Sequence, residues 1–282
     1  MLGAIKNDFS RSMANRGFAF AVVITAALCF TEQIFCDNVN GRVYSVFEAF
    51  FTFDRAFMER NFDFNPAIII GKALSGYSAM ALPVTAAFPF VFAFVSERNS
   101  GNMRFVISRT GRLKYYFSKY ISSIFSGGFC TMLGVLLFAL FAFILFPSGQ
   151  NPDTITEFLP YGALLFIVKK SLSALVYGAA SVLPAFFLCS FCTNPYIILC
   201  VPFLLKFMLE TLISEIQKNA ISSGNISIYE KIIPFDPTSL NHIFEMLADK
   251  TFFITIAVNV VFAAAIFAGY AVIMEKRADR GS

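Results

Sequence analysis

Residues 120–146 contain no Asp, Glu, Lys, Arg or His. About 20 such residues cross the ~30 Å hydrocarbon layer of a bilayer as a helix. Lipid offers no partners to backbone N–H and C=O groups, so a span must satisfy them internally, and α-helix is the way a single segment does this. Other long apolar runs lie at residues 17–36, 77–95, 171–191, 196–213 and 252–274. Composition agrees with a chain built for lipid. Hydrophobic residues make up 57% and charged residues 14%, against about 25% charged in soluble domains.

These runs predict an all-α polytopic membrane protein with six transmembrane helices. Residues 1–16 precede them. Leu2, Ile5, Phe9 and Met13 recur at helical spacing, with Lys6, Asp8 and Arg11 on other faces. That pattern predicts an amphipathic helix lying in the membrane interface. The run at 17–36 lacks a small-residue cleavage signal at its end, so it reads as the first span rather than a leader. Residues 37–65 read as a polar external loop. Residues 96–119 form a basic inner loop, with the third span starting at 119. The sequence PSGQNPD at 147–153 reads as a turn. A short interfacial segment with Lys169 and Lys170 precedes the fourth span. CTNP at 192–195 reads as a tight turn. Residues 214–250 form a polar external segment with room for short helices, and 275–282 a short basic tail.

Charge orients the bundle. With the N-terminus in the cytoplasm, the inner segments carry twelve basic and four acidic residues, whereas the other ten basic residues stand against fourteen acids. This is the positive-inside pattern. It places both termini in the cytoplasm, in the cytoplasmic membrane, and supports an even number of spans. Nucleic acid is not an expected partner, because the basic residues sit between spans. Membrane lipids are.

Several chemistries lack their residues. No G-x-x-x-x-G-K-[ST] is present; GKA at 71–73 lacks the upstream Gly and the hydroxyl, so the chain cannot cradle ATP phosphates by that device. His242 is the one His. With no second Cys pair near Cys189 and Cys192, a zinc site is not expected. The six Cys, mostly within apolar runs, read as small buried hydrophobes. No G-x-S-x-G nucleophile elbow occurs. The chain is therefore not expected to be an enzyme or to bind a cofactor itself.

A few polar or helix-bending groups fall inside the spans. Pro83 and Pro89 kink the second and free carbonyls there. Lys206 lies about eleven residues into the fifth span, roughly 16 Å deep, with Glu210 one turn on. An intramembrane charge is a functional candidate, here as a side chain lining a substrate path to which Glu210, Pro83 and Pro89 also belong; equally, Lys206 can pair with Glu210 or snorkel outward. Asn259 in the sixth span reads as an interhelical hydrogen-bonding group or part of the same path.

The inner stretch SERNSGNMRFVISRTGRLKYYFSKY, residues 96–120, holds six basic side chains and one acid. Glu97 ends the second span, Gly101 follows, then the apolar turn at 103–107, a basic stretch from Arg109 through Arg112 to Lys114, and Lys119. In this order the stretch resembles the loop after span two in the permease subunits of type-2 ABC exporters, and the resemblance extends over nearly the whole chain. It implies a coupling loop made of Glu97, Arg98, Gly101, Arg104, Arg109, Arg112, Lys114 and Lys119, docking on separate ABC ATPase subunits that hold ATP and Mg. It implies a homodimer, or a heterodimer with a second permease, and export of a peptide, lipid-like or drug-like substrate by alternating access. Val106, Leu113 and Tyr116 supply apolar contacts between the cations, as a helix seated in a protein groove needs. Gly101 suits a sharp helix entry. Glu97 has Lys6 or Arg11 as possible partners. The plain alternative is that the cations bind anionic head groups, worth about 1 kcal/mol each. A second functional reading is a ligand-sensing or immunity membrane protein without transport.

Overall fold

The computed structural model describes residues 2–37, 41–147, 162–222, 233–245 and 250–279. Helix α1 (Leu2–Met13) leads, after a bend at Ala14 and Asn15, into α2 (Arg16–Cys29). A two-stranded antiparallel hairpin follows, β1 (Gln33–Asp37) and β2 (Arg42–Ser45). Three short helices come next: α3 (Val46–Thr52), α4 (Arg55–Arg60) and α5 (Pro66–Gly71). The long helices are α6 (Gly76–Asn99), α8 (Arg112–Leu145), α9 (Ala163–Leu188), α10 (Pro195–Ser222) and α11 (Lys250–Asp279), with α7 (Asn102–Thr110) between α6 and α8. Two 3₁₀ turns, Ile233–Phe235 and Pro237–His242, lie in the segment between α10 and α11.

Five helices, α6 and α8 to α11, are long and apolar enough to cross a membrane. The expected first span is different. As α2 it has 14 residues, about 21 Å at 1.5 Å per residue, shorter than the ~30 Å hydrocarbon layer. It ends early because the chain turns at Thr31 into the hairpin, where Glu32 is buried against α6. The segment at 37–65 is not an unstructured polar loop. Phe35, Tyr44, Phe53, Phe57 and Phe64 collapse into one aromatic cluster, with Phe53 stacked on Phe57 at 4.8 Å between centroids and Phe35 5.2 Å from Phe64. Aromatic contacts of this kind each add about 0.5–1.5 kcal/mol beyond burial. The spacing of these rings has no period, so it gives no sequence signal of an element.

The basic loop at 96–119 is helical nearly throughout, with breaks only at Ser100, Gly101 and Gly111. Gly101 adopts φ 73° at the N-cap of α7, a left-handed conformation that L side chains resist. The fourth span begins earlier than expected. Lys169 and Lys170 lie within the continuous helix α9, not in a separate interfacial segment. Most of the expected 147–153 turn, much of 223–250 and the end of the tail lie outside the described residues.

α8 packs most extensively on α9, and also on α2, α6 and α1, while α10 lies on α6. The α8–α9 crossing is made by small residues. A Cβ added at Gly127 would strike Val182, and one at Gly178 would strike Thr131. Thr131 Oγ1 donates across the crossing to the Ala174 carbonyl at 2.8 Å. In lipid, close backbone approach of this kind supplies van der Waals contact that the hydrophobic effect does not. We expect Gly178→Leu to destabilise the bundle by at least about 1–3 kcal/mol through overpacking, read as a lower melting temperature in detergent. Gly162→Leu, whose Cβ meets nothing within 4 Å but whose φ is 82°, isolates backbone strain from packing and should cost less.

Two buried clusters fill the bundle. One, at the α7 end, holds Phe90, Phe94, Tyr115, Tyr116, Phe186 and Tyr270. The other, at the hairpin end, holds Cys29, Phe64, Ile69, Leu82, Phe138 and Tyr177. By contrast α11 is mostly exposed, with Phe253, Val260 and Val261 turned outward, as suits a lipid-facing helix.

Candidate functional site

At the α7 end, Glu97 and Lys119 are both nearly inaccessible. Lys119 Nζ lies 2.6 Å from Glu97 Oε2 and 2.7 Å from Asp8 Oδ1. The Tyr115 hydroxyl donates to Glu97 Oε1 at 3.0 Å, and Ser118 Oγ donates to Asp8 Oδ2 at 2.7 Å. Arg11 Nη1 sits 3.7 Å from Glu97 Oε2. One cluster thus ties α1, α6 and α8 together. Charge balances within it, two carboxylates against two cations, which is what burial of charge requires. Of the two expected partners of Glu97, Arg11 is present; the side chain of Lys6 lies outside the described residues.

Lys119 and Glu97 are therefore structural parts of the base rather than docking residues exposed on a loop. The same holds for Arg98. Its guanidinium donates to the carbonyls of Cys189 at 2.8 Å and Cys192 at 3.2 Å. The Cys189 carbonyl caps α9, where the helix presents unsatisfied acceptors and partial negative charge, and that of Cys192 lies in the turn that follows. So the C-x-x-C turn serves as an acceptor for α6. Cys36 and Cys200 are exposed, unlike the buried Cys29, Cys130 and Cys189, which corrects the expectation for those two.

Above this base stands α7. Phe105 is 73% exposed and Leu113 67% exposed. Arg109, Arg112 and Lys114 are exposed beside them. Phe105 and Arg109 are one turn apart and share a face. Tyr116, expected among the docking contacts, is instead in the core, its ring 5.7 Å from that of Tyr270. Val106 is half-buried and packs inward. Phe105 takes the outward place; helical spacing from Arg109 was the signal that could have found it. Arg104 lies on α7, with its side chain outside the described residues.

A second polar site lies at the hairpin end of α6. Pro83 has no N–H, so the Ala79 carbonyl four residues back loses its helical partner. Lys206 of α10 donates to that carbonyl. Lys206 also donates to the Tyr177 hydroxyl at 2.5 Å and lies 3.5 Å from Glu210 Oε1. Pro89 likewise frees the Thr85 carbonyl, which faces Cys130 Sγ of α8 at 3.9 Å. The two freed carbonyls are thus matched by donors on neighbouring helices. Lys206 pairs with Glu210 as one of the sequence readings held, and the second acceptor, freed by Pro83, was beyond reach of the sequence. Among the described residues Asn259 is not seen to bridge helices: its Nδ2 donates to the Thr255 carbonyl of its own helix at 2.9 Å.

Nearby, the junction between α5 and α6 is gripped by buried polar groups from three other segments. Glu32 accepts from the Ser78 amide at 3.0 Å and from Ser75 Oγ at 3.1 Å. Asn241 Nδ2 donates to the carbonyls of Ala73 and Leu74, at 2.9 and 3.0 Å. Lys170 Nζ reaches the Asn241 carbonyl at 3.4 Å. Leu74 has φ 57°, so the break carries strain that these bonds hold in place. Burial pushes the Glu32 carboxyl above its ordinary range, and the hydrogen bonds from Ser78 and Ser75 and the charge of Lys170 draw it back.

No family model, no curated protein and no solved structure matches the chain. By the length and apolar character of its helices, the chain belongs to the class of helical multi-pass membrane proteins.

Proposed function

We propose that the chain is the transmembrane permease subunit of an ATP-binding cassette exporter. In this reading it crosses the cytoplasmic membrane six times, the short α2 making the first crossing where the bilayer thins around it, with both termini in the cytoplasm. Separate ATPase subunits hold ATP and Mg, and a second permease, identical or related, completes the translocation path. The substrate is a peptide, a lipid-like molecule or a drug-like molecule.

One observation carries the reading. α7 is a nine-residue helix whose outer face carries exposed Phe105 and Arg109, and the first turn of α8 adds exposed Arg112, Leu113 and Lys114 beside it, while the flanks are fixed by the Glu97–Lys119 pair and by Arg98. Positive-inside topology alone requires charge on that side of the membrane, not a rigidly mounted apolar–cationic face. A mounted helix can convey a push from a partner to α6 and α8 together, which is what coupling to ATPase closure needs. Alternating access then proceeds as rigid-body motion of the spans.

The test is assembly with a co-expressed ABC ATPase. Phe105→Glu with Arg109→Glu reverses the outer face without touching the buried base. We expect ATPase copurification to fall at least tenfold while the melting temperature of the permease is kept. Undiminished copurification would remove the coupling role. Absence of any ATPase association by the unaltered chain would favour a ligand-sensing or immunity protein.

A further inference from the structure

A cleft of about 560 Å³ opens at the end of α6 opposite α7, between the end of α2, the hairpin and α3. Its volume is in the range of small-molecule sites. Phe30, Phe47, Tyr77 and Val43 form most of its wall, with Ser45 and Glu48 at one side. Among the residues lining it, Glu48 is the one with a formal charge. Phe47 and Tyr77 are largely exposed, as is Phe51 on α3, and Phe50 beside it is partly exposed, so an apolar rim adjoins the cleft.

The carboxylate is fixed and ionised. Glu48 closes a capping box with Ser45: its Oε2 accepts from the Ser45 amide at 3.1 Å, and Ser45 Oγ accepts from the Glu48 amide at 3.2 Å. The hydrogen bond from the Ser45 backbone holds its carboxyl below the ordinary range. Its one ion-pair contact among the described residues is loose. Arg42 Nη2 is 3.8 Å from Glu48 Oε1, with both side chains substantially exposed. Such pairs contribute little, and Arg42 is also placed over the Tyr44 ring, 5.0 Å from its centroid. An incoming cation therefore displaces little.

Aromatic faces attract ammonium groups, by about 0.5–2 kcal/mol each depending on desolvation. Three rings and one carboxylate on a single apolar cleft beside the membrane-spanning helices select one chemistry. We propose that this cleft binds an amphiphile with a single ammonium head, the head against Glu48 and the rings, the tail along the Phe47–Phe51 rim. The site does not depend on the coupling role of α7. The ammonium could belong to a choline-headed lipid or to a soluble cationic amphiphile.

The test uses the full chain in phosphatidylglycerol nanodiscs and radiolabelled dodecyltrimethylammonium, with uptake by empty discs subtracted. We expect saturable binding of one probe per chain. Glu48→Gln keeps the capping-box acceptor and removes the charge, so it should weaken binding at least tenfold with melting unchanged. Phe47→Leu and Tyr77→Leu keep apolar bulk and remove the ring faces, and each should weaken binding about three- to tenfold. Equal affinity in Glu48→Gln, or equal competition by dodecyl sulfate, would overturn the proposal. Repeating the measurement in phosphatidylcholine discs separates the sources: a drop in probe affinity identifies the lipid head as occupant, and unchanged affinity identifies a soluble amphiphile.

Discussion

Lys119→Met should destabilise the chain by about 3–5 kcal/mol, the range for removing one member of a buried ion pair. Lys119 is the one cation in contact with both Asp8 and Glu97 in the described structure. Without it Glu97 keeps Arg11, but Arg11 is 3.7 Å away and 57% exposed, so water screens much of its charge. Asp8 keeps only the Ser118 hydroxyl among its described partners. The buried negative charge then favours separation of α1 from α6 and α8. Two measurements read this. Unfolding in detergent should shift by the stated amount, and a Cys placed at Ser12, which is buried, should become reactive to a water-soluble maleimide. Adding Glu97→Gln to Lys119→Met should restore part of the stability, because the neutral amide no longer needs a counter-charge. If the double variant instead shows the sum of the single losses, the pair is not coupled. Loss of ATPase coupling without loss of stability would also refute the structural role assigned to Lys119.

How much of this was legible in the sequence depends on what sets each feature. Apolar runs set the long helices, because lipid leaves no alternative to internal hydrogen bonding. The runs at 77–95 and 252–274 accordingly lie inside α6 and α11. Tertiary contact set what the runs did not. α2 stops short because Glu32 is drawn to the first turn of α6, a pairing across 46 residues with no local signal. α9 runs through Lys169 and Lys170 because Lys170 finds the Asn241 carbonyl, so a charge that reads as a boundary is buried instead. The candidate site divides in the same way. Glu97 with Arg11 followed from charge at the membrane edge. Asp8, Tyr115 and Ser118 did not, because their roles depend on how α1 crosses α8. Arg98, near the end of α6, reads in sequence like the cations that follow it, but only the fold brings it to the end of α9.

Pro83 and the buried Lys206 should prove to be one device. Lys206→Met removes the donor to the Ala79 carbonyl and leaves Glu210 without its cation. The expected loss is about 3 kcal/mol or more. Pro83→Ala gives α6 back an N–H at position 83, which can bond the Ala79 carbonyl within the helix. In the Lys206→Met background, Pro83→Ala should therefore recover about 1 kcal/mol. Glu210→Gln in that background should recover more, since it removes a buried charge rather than a neutral acceptor. In the unaltered chain Pro83→Ala should do the opposite of what helix propensity predicts, because the new N–H competes with Lys206 and straightening α6 moves its wall against α10. Pro83→Ala that stabilises both backgrounds equally would show that Lys206 and the freed carbonyl are independent. Melting curves of the four variants decide between these outcomes. A dependent result means that the tilt of α6 and the seating of α10 change together through the Lys206 ammonium group as well as through their packing.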